Sequence, residues 1–293
     1  MTTARSVFLR VRDLDLHARV RGDESRPPTL FLHGWLDHQA SFDLLLDALH
    51  ARDPELHSVA LDLRGHGDSS WCGAGGFYHL LEYVADLEGV LDALNVAQPV
   101  RLVGHSLGGA IALLYASVRS ARLAHVSMLD SFPLTIRVTE VPERFSEYLN
   151  DVKLPRTRKR VDSFEHAKER LQKANPRLPD AVAAHLARTG VAPDPKQDGA
   201  LAWKWDPLLR GHSPLPFMDE HLRELLPLIR APLFALRAGE TWLPEEQELR
   251  EKLAVTHARL EVETLAGTGH HLHLEQPEQV AERLAGAWAR ALQ

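Results

Sequence analysis

Residues 104–108 read Gly104-His105-Ser106-Leu107-Gly108. An apolar run, Pro99-Val-Arg-Leu-Val103, leads into them, and Gly109-Ala-Ile-Ala-Leu-Leu-Tyr115 follows with helical character. Strand, sharp turn and helix with a serine at the apex is the pattern of a nucleophile elbow. Such a turn holds the serine in a sparsely populated backbone region, and only small neighbours let strand and helix approach. Gly104, Gly108 and Gly109 meet that demand. Gly and Ser are common residues, so the weight lies on the placement between strand and helix.

Outward from the elbow the chain alternates. Residues 6–12 and 14–20 alternate apolar with polar and read as an antiparallel hairpin with one wet face. Thr29-Leu-Phe-Leu-His33, Ser58-Val-Ala-Leu-Asp62, Val100-Arg-Leu-Val103 and Val126-Ser-Met-Leu129 are short, mostly apolar runs, as expected of strands buried on both faces. Helical patterns at Phe42–Leu49, Leu80–Leu94 and Gly109–Arg119 separate them. This is the signature of parallel strands with crossover helices. The alternation stops after Asp130 and resumes at Pro232-Leu-Phe-Ala-Leu236, then a helix over Glu245–Ala254, a strand over Arg259–Leu265 and a last helix over Glu278–Leu292. The expectation is a core domain from residues 1–131 and 232–293, interrupted by a helical cap at 132–231, a typical small-domain size.

The 293 residues are 44% hydrophobic and 25% charged, an ordinary globular balance. A net charge of -6 argues against nucleic acid as a partner. A single cysteine, Cys72, permits no internal disulfide. The N-terminus lacks the uninterrupted apolar core of a signal peptide, and no stretch approaches the ~20 apolar residues of a membrane span. A cytoplasmic protein without stable membrane association is expected. Neither zinc-type ligand spacing nor a phosphate-binding glycine loop occurs, so no metal and no cofactor are expected.

A serine hydroxyl needs a base, and histidine oriented by a carboxylate is the usual one. Gly267-Thr-Gly-His270-His-Leu-His273-Leu-Glu275-Gln-Pro277 follows the last predicted strand, where a loop can return to the elbow. His270, in the glycine-rich turn, is the leading base. His271 and His273 read as pocket or scaffold residues, since a lone imidazole among 17 histidines is more often solvated or core-bonded. An oxyanion needs backbone N–H donors. Leu107 supplies one candidate and Trp35, in His33-Gly34-Trp35 after the third strand, the other. Asp62-Leu-Arg-Gly-His-Gly-Asp-Ser69 reads as a loop held by its own hydrogen bonds.

These motifs together, over residues 6–131 and 232–292, resemble the α/β-hydrolase superfamily, and most closely its serine hydrolase-like proteins. His33-Gly-Trp-Leu-Asp-His-Gln-Ala-Ser-Phe42 is similar to their early loop, and Met128-Leu-Asp130-Ser-Phe-Pro133 to the end of their sixth strand. Arg170-Leu-Gln-Lys-Ala-Asn-Pro-Arg-Leu178 and His185-Leu-Ala-Arg-Thr-Gly190 are similar to their cap. The resemblance implies a mostly parallel eight-stranded sheet with helices on both faces and a helical cap between strands six and seven. It supplies no substrate.

The resemblance leaves the acid open. The commoner family pattern puts an aspartate after the seventh strand, where this chain has Arg237-Ala-Gly-Glu240-Thr-Trp-Leu-Pro244. Glu240 is one choice, displaced by a position or two. Asp130, ending strand six 24 residues after Ser106, is the favoured one, as in some relatives.

In this fold the pocket lies at the carboxyl ends of the strands, beneath the cap. His33, Gly34, His105, Phe132, Phe145, Trp203, Trp205 and Phe217 are candidate pocket residues, each of the cap residues being singly more apt to be cap core. The basic run Lys153–Arg160 is more often a solvated face than an anion or membrane site. The expected function is cleavage of carboxylic esters with a hydrophobic portion, through an acyl-enzyme on Ser106. Other chemistry on the same residues (C–C bond, amide or lactone hydrolysis, perhydrolysis, cofactor-free oxygenation) and a non-catalytic binding module are the rivals. Serine at the elbow disfavours the aspartate-nucleophile chemistry of dehalogenases and epoxide hydrolases.

Overall fold

The structure is a computed structural model that describes residues 4–73, 75–153, 157–194 and 199–292. The chain opens with β1 (Arg5–Val11) and β2 (Leu14–Arg21), paired antiparallel from Arg5 opposite Val20 to Val11 opposite Leu14. There follow β3 (Thr29–Leu32), α1 (Asp43–Arg52), β4 (Ser58–Leu61), α2 (Leu80–Ala93), β5 (Val100–His105), α3 (Leu107–Arg119) and β6 (Leu123–Leu129).

Between β6 and the next core strand lie α4 (Val141–Asp151), β7 (Arg160–Val161), α5 (Phe164–Ala174), α6 (Asp180–Gly190), β8 (Val191–Pro193), β9 (Leu201–Trp203) and α7 (Asp219–Leu225). The chain then returns through β10 (Leu233–Ala238), α8 (Glu246–Leu253), β11 (Leu260–Leu265), the short α9 (Leu272–Glu275) and α10 (Pro277–Ala291).

One sheet holds eight strands in the order β1-β2-β4-β3-β5-β6-β10-β11. All neighbours from β4 onward are parallel. The inner strands β3 and β4 are buried along their whole length, which is why they read as unbroken apolar runs. Alternate side chains enter two cores. Leu30, Leu32, Leu102 and Met128 pack with Leu87 of α2 and Ile111 of α3. Phe31, Val103, Leu129 and Phe234 pack on the other face with Leu45 of α1 and Leu284 of α10. Helices therefore cover both faces.

The inserted segment is not wholly helical. β7, β9 and β8 form a second, three-stranded antiparallel sheet. These strands are two or three residues long, too short to show a period of two in sequence. The segment is tied to the core at several points. Trp35 Nε1 donates to the Leu209 carbonyl at 2.7 Å, Lys204 pairs with Asp68 at 2.8 Å, and the Tyr78 hydroxyl donates to Asp206 at 2.8 Å. No helix among the described residues is long and apolar enough to cross a membrane.

Candidate active site

β5 ends at His105 and α3 starts at Leu107, so Ser106 must make the whole change of direction alone. It does so at φ 49°, ψ -113°, outside the regions a side chain ordinarily allows. The surroundings hold it there. The Ser106 N–H donates to Leu129 O of β6 at 3.1 Å, and its carbonyl accepts from Gly109 N and Ala110 N at 3.1 Å and from Ser131 Oγ at 2.5 Å. The close approach explains the glycines. A Cβ on Gly108 would lie 1.9 Å from the Leu32 carbonyl oxygen of β3. The Leu107 N–H, first in α3, has no intrahelical acceptor and points out of the helix with the positive end of its dipole.

Asp130 follows β6 directly. It too has positive φ, 43°, a conformation aspartate tolerates better than most residues. Its N–H donates to Leu236 O at 2.8 Å, which aims the side chain across the strand ends. The carboxylate is fully buried, and both of its oxygens are partnered. Oδ1 accepts from the Ala238 N–H at 2.8 Å, and Oδ2 accepts from Thr241 Oγ1 at 2.7 Å and from His270 Nδ1 at 2.6 Å. A carboxylate only accepts, so Nδ1 of His270 carries the proton and Nε2 is left with a lone pair. The His270 ring is 29% exposed, so Nε2 can meet a ligand. Its carbonyl accepts from His105 Nε2 at 2.9 Å, and the two imidazoles lie 4.8 Å apart, which docks the His270 loop against the residue preceding Ser106.

Glu240 lies elsewhere. It is exposed, and its carboxylate pairs with Arg177 of the inserted segment at 2.9 Å. Arg177 also donates to Glu275 at 2.8 Å and to the Gly267 carbonyl at 2.5 Å, while Glu275 accepts the Gly269 N–H at 2.9 Å. The inserted segment thereby clamps both ends of the His270 loop. Sequence reading passed over Thr241 and Arg177. Their partners come from loops whose folding no local pattern encodes.

Several expected pocket residues are scaffold instead. His33 is fully buried and satisfied: Nδ1 donates to Gly34 O at 2.8 Å and Nε2 accepts from Leu63 N at 3.0 Å. Burial disfavours its charged form and lowers its pKa. His105 is buried beneath the elbow, and burial together with the neighbouring histidines His273, His271 and His270 pushes its pKa well down. A Cβ on Gly34 would meet His105 Nδ1 at 2.8 Å, so Gly34 serves a close packing contact. Trp203 and Trp205 are buried in the packing of the inserted segment and border a cavity of about 30 Å³. Phe145 is exposed on α4. Phe132 and Phe217 are half-buried and packed against the core.

A cleft of about 760 Å³ is walled by Phe77, Tyr78, Tyr148, Val152, Lys159 and Leu208 among others, and none of Ser106, Asp130 and His270 lines it. Trp35 adjoins it, through its bond to Leu209 and the Arg210 guanidinium 6.0 Å from its ring. Of the basic run, Leu154, Pro155 and Arg156 lie outside the described residues. Arg158 stacks on Trp71 at 4.1 Å and Arg160 pairs with Asp194 at 2.6 Å, so both serve local packing.

The family profile described as Alpha/beta hydrolase family matches residues 29–283. The chain belongs to that family. As a hydrolase of this group it is 30% identical over 278 residues to the serine hydrolase-like protein of Danio rerio, covering 91% of this chain and 83% of that protein. It is 25% identical over 289 residues to the human serine hydrolase-like protein 2, covering 90% and 87%. Among solved structures, this hydrolase superposes on a hypothetical protein from Pseudomonas aeruginosa PAO1 with a TM-score of 0.85 at 28% identity, covering 98% and 99% of the two chains. It superposes on the thioesterase domain from the curacin biosynthetic pathway with a TM-score of 0.83 at 25% identity, covering 97% and 99%.

Proposed function

We propose that this hydrolase cleaves carboxylic esters through an acyl-enzyme on Ser106. The observation that carries the reading is the 2.6 Å contact between the buried Asp130 carboxylate and His270 Nδ1, with His270 docked by His105 beside the strained Ser106. In the proposed cycle Nε2 of His270 takes the Ser106 proton as Oγ attacks the ester carbonyl. The N–H groups of Leu107 and Trp35 receive the oxyanion. His270 returns the proton to the leaving alcohol, then activates the water that releases the acid and frees Ser106. Asp130 holds the imidazole in the right tautomer and favours the imidazolium.

The mixed aromatic, aliphatic and basic walls of the cleft next to Trp35 suit a small to medium substrate with a hydrophobic portion. The single cysteine suits a reducing compartment, and the proposal places the protein in the cytoplasm. It also takes residues 132–231 as a cap domain over a core of 1–131 and 232–293. A fluorophosphonate probe tests the nucleophile: Ser106 should be labelled in the folded protein and the Ser106→Ala variant should not. Intact folded protein that resists labelling would sink the assignment. Turnover of p-nitrophenyl esters of increasing chain length then tests the substrate class. Labelling with no ester turnover would point to amide, lactone, thioester or carbon–carbon chemistry on the same residues.

A further inference from the structure

Next to the elbow, three side chains from distant segments converge. Asp37 comes from the loop after β3, His105 from the end of β5 and His273 from α9. One ligand atom from each lies within 4.8 Å of the other two. The His105 and His273 rings are 4.3 Å apart between centroids. His273 is fully buried and His105 is 1% exposed.

Hydrogen bonding leaves this cluster unfinished. Asp37 Oδ1 accepts the His38 N–H at 2.9 Å, whereas Asp37 Oδ2 is buried without a partner. Both ring nitrogens of His273 and Nδ1 of His105 are also buried and unpartnered. A carbonyl oxygen cannot donate, so the bond from His105 Nε2 to His270 O fixes the proton on Nε2. Nδ1 therefore presents a lone pair into the cluster. Buried polar groups are rarely left without a partner, and four such atoms on three converging side chains call for a shared one.

We propose that Asp37 Oδ2, His105 Nδ1 and one ring nitrogen of His273 form a binding site for a divalent transition-metal ion of the zinc class. An imidazole whose far N–H donates to a backbone carbonyl, as in His105, is the usual second-shell arrangement of a metal-ligating histidine. Two imidazoles and one carboxylate suit Zn²⁺, Co²⁺ or Cu²⁺, whereas Mg²⁺ and Ca²⁺ demand oxygen donors. Three protein ligands leave a fourth position for water. Asp37 also lines a small cavity of about 30 Å³ with Leu36, His38 and Gly190. Sequence spacing hides the site, because positions 37, 105 and 273 follow no zinc-motif interval.

The test uses the full chain, stripped with a chelator and then dialysed against Zn²⁺, Co²⁺ or Mg²⁺, with bound metal counted by mass spectrometry. The wild type should retain one equivalent of Zn²⁺ and none of Mg²⁺. Co²⁺ should give the visible absorption of a low-coordinate site, and Zn²⁺ should raise Tm. Asp37→Asn, at a half-buried position that keeps the side-chain shape, should weaken Zn²⁺ binding at least ~10-fold, and His273→Gln likewise, with circular dichroism checking the fold. His212→Gln removes a half-buried histidine that bonds Asp151 and should leave metal binding unchanged. No retained metal would overturn the proposal and leave a buried water as the shared partner. So would stoichiometry and affinity unchanged in folded Asp37→Asn, or lost only in His212→Gln. The metal count does not depend on whether Ser106 turns over an ester.

Discussion

Asp130 Oδ2 and His270 Nδ1 lie 2.6 Å apart across 140 residues of sequence, and the other oxygen of that carboxylate is held by the Ala238 N–H. The carboxylate cannot rotate without breaking a backbone bond, so the imidazole it orients cannot either. Asp130→Asn would turn an amide donor toward His270 Nδ1 and favour the tautomer whose Nε2 carries the proton. Turnover should fall by up to ~10⁴, with KM little changed. Glu240→Gln removes only a solvent-screened ion pair to Arg177 and should leave turnover near wild type. Steady-state kinetics on the two variants decide the matter. An active Asp130→Asn with a dead Glu240→Gln would reverse the assignment.

Thr241 should matter less than Asp130 but measurably. Its hydroxyl donates to the same Oδ2 that meets His270, at 2.7 Å, and accepts the Leu243 N–H at 3.2 Å. Thr241→Val keeps the shape and deletes both bonds. A hydrogen bond to a charged group contributes ~1.5–3 kcal/mol, so stability in urea should drop by about that much. Turnover should fall about tenfold as the carboxylate loosens, an effect of ~1.4 kcal/mol. Thr241→Ser should restore most of both. A valine variant of unchanged stability and turnover would show that the Ala238 N–H alone holds Asp130.

What the sequence makes legible here follows from how locally each feature is encoded. Ser106 and the core strands can be read because the elbow's glycines and the doubly buried strands leave contiguous marks. The histidine loop can be read from its glycines and its place before α10. Asp130 competes with Glu240 on paper because both end a core strand or begin the loop after it. Only the β6–β10 register and the Leu236 carbonyl decide which carboxylate turns inward. His33 and His105 sit inside recognisable motifs, yet nothing local says that their rings point into the protein. Thr241, Arg177 and the three-residue strands β8 and β9 depend on tertiary partners and leave no periodic trace.

Gly108 is a site where the fold forbids even a methyl group. An added Cβ would stand 1.9 Å from the backbone oxygen of Leu32, which lies in the buried β3 and cannot yield. Gly108→Ala should cost ~3 kcal/mol or more, or prevent folding. At Gly73 an added Cβ meets nothing within 4 Å, and Gly73→Ala should shift stability by less than ~0.5 kcal/mol. Chemical denaturation of the pair provides the comparison. A Gly108→Ala protein as stable as wild type would mean that β3 and α3 can part without penalty.

Asp62 sets an acid limit on stability. It is buried, and it accepts from the Gln39 N–H at 2.7 Å and the Asp68 N–H at 3.0 Å, with His17 Nδ1 at 2.7 Å. Burial alone would raise its pKa. The bond to His17, the nearby His33 and His38, and the Gln39 N–H outweigh burial and lower it to about 2. An aspartate in the unfolded chain titrates near ~3.9. A depressed folded value means that the unfolded chain takes up the proton first as pH falls. The stabilisation, ~2 kcal/mol, is therefore fully present above ~pH 4 and is lost as pH drops from there through about 2. Asp62→Asn should be less stable than wild type at pH 6, and the gap should narrow steadily between pH 4 and 2. Urea midpoints across that range measure it. A gap that stays constant down to pH 2 would show that other carboxylates, not Asp62, govern the acid limb.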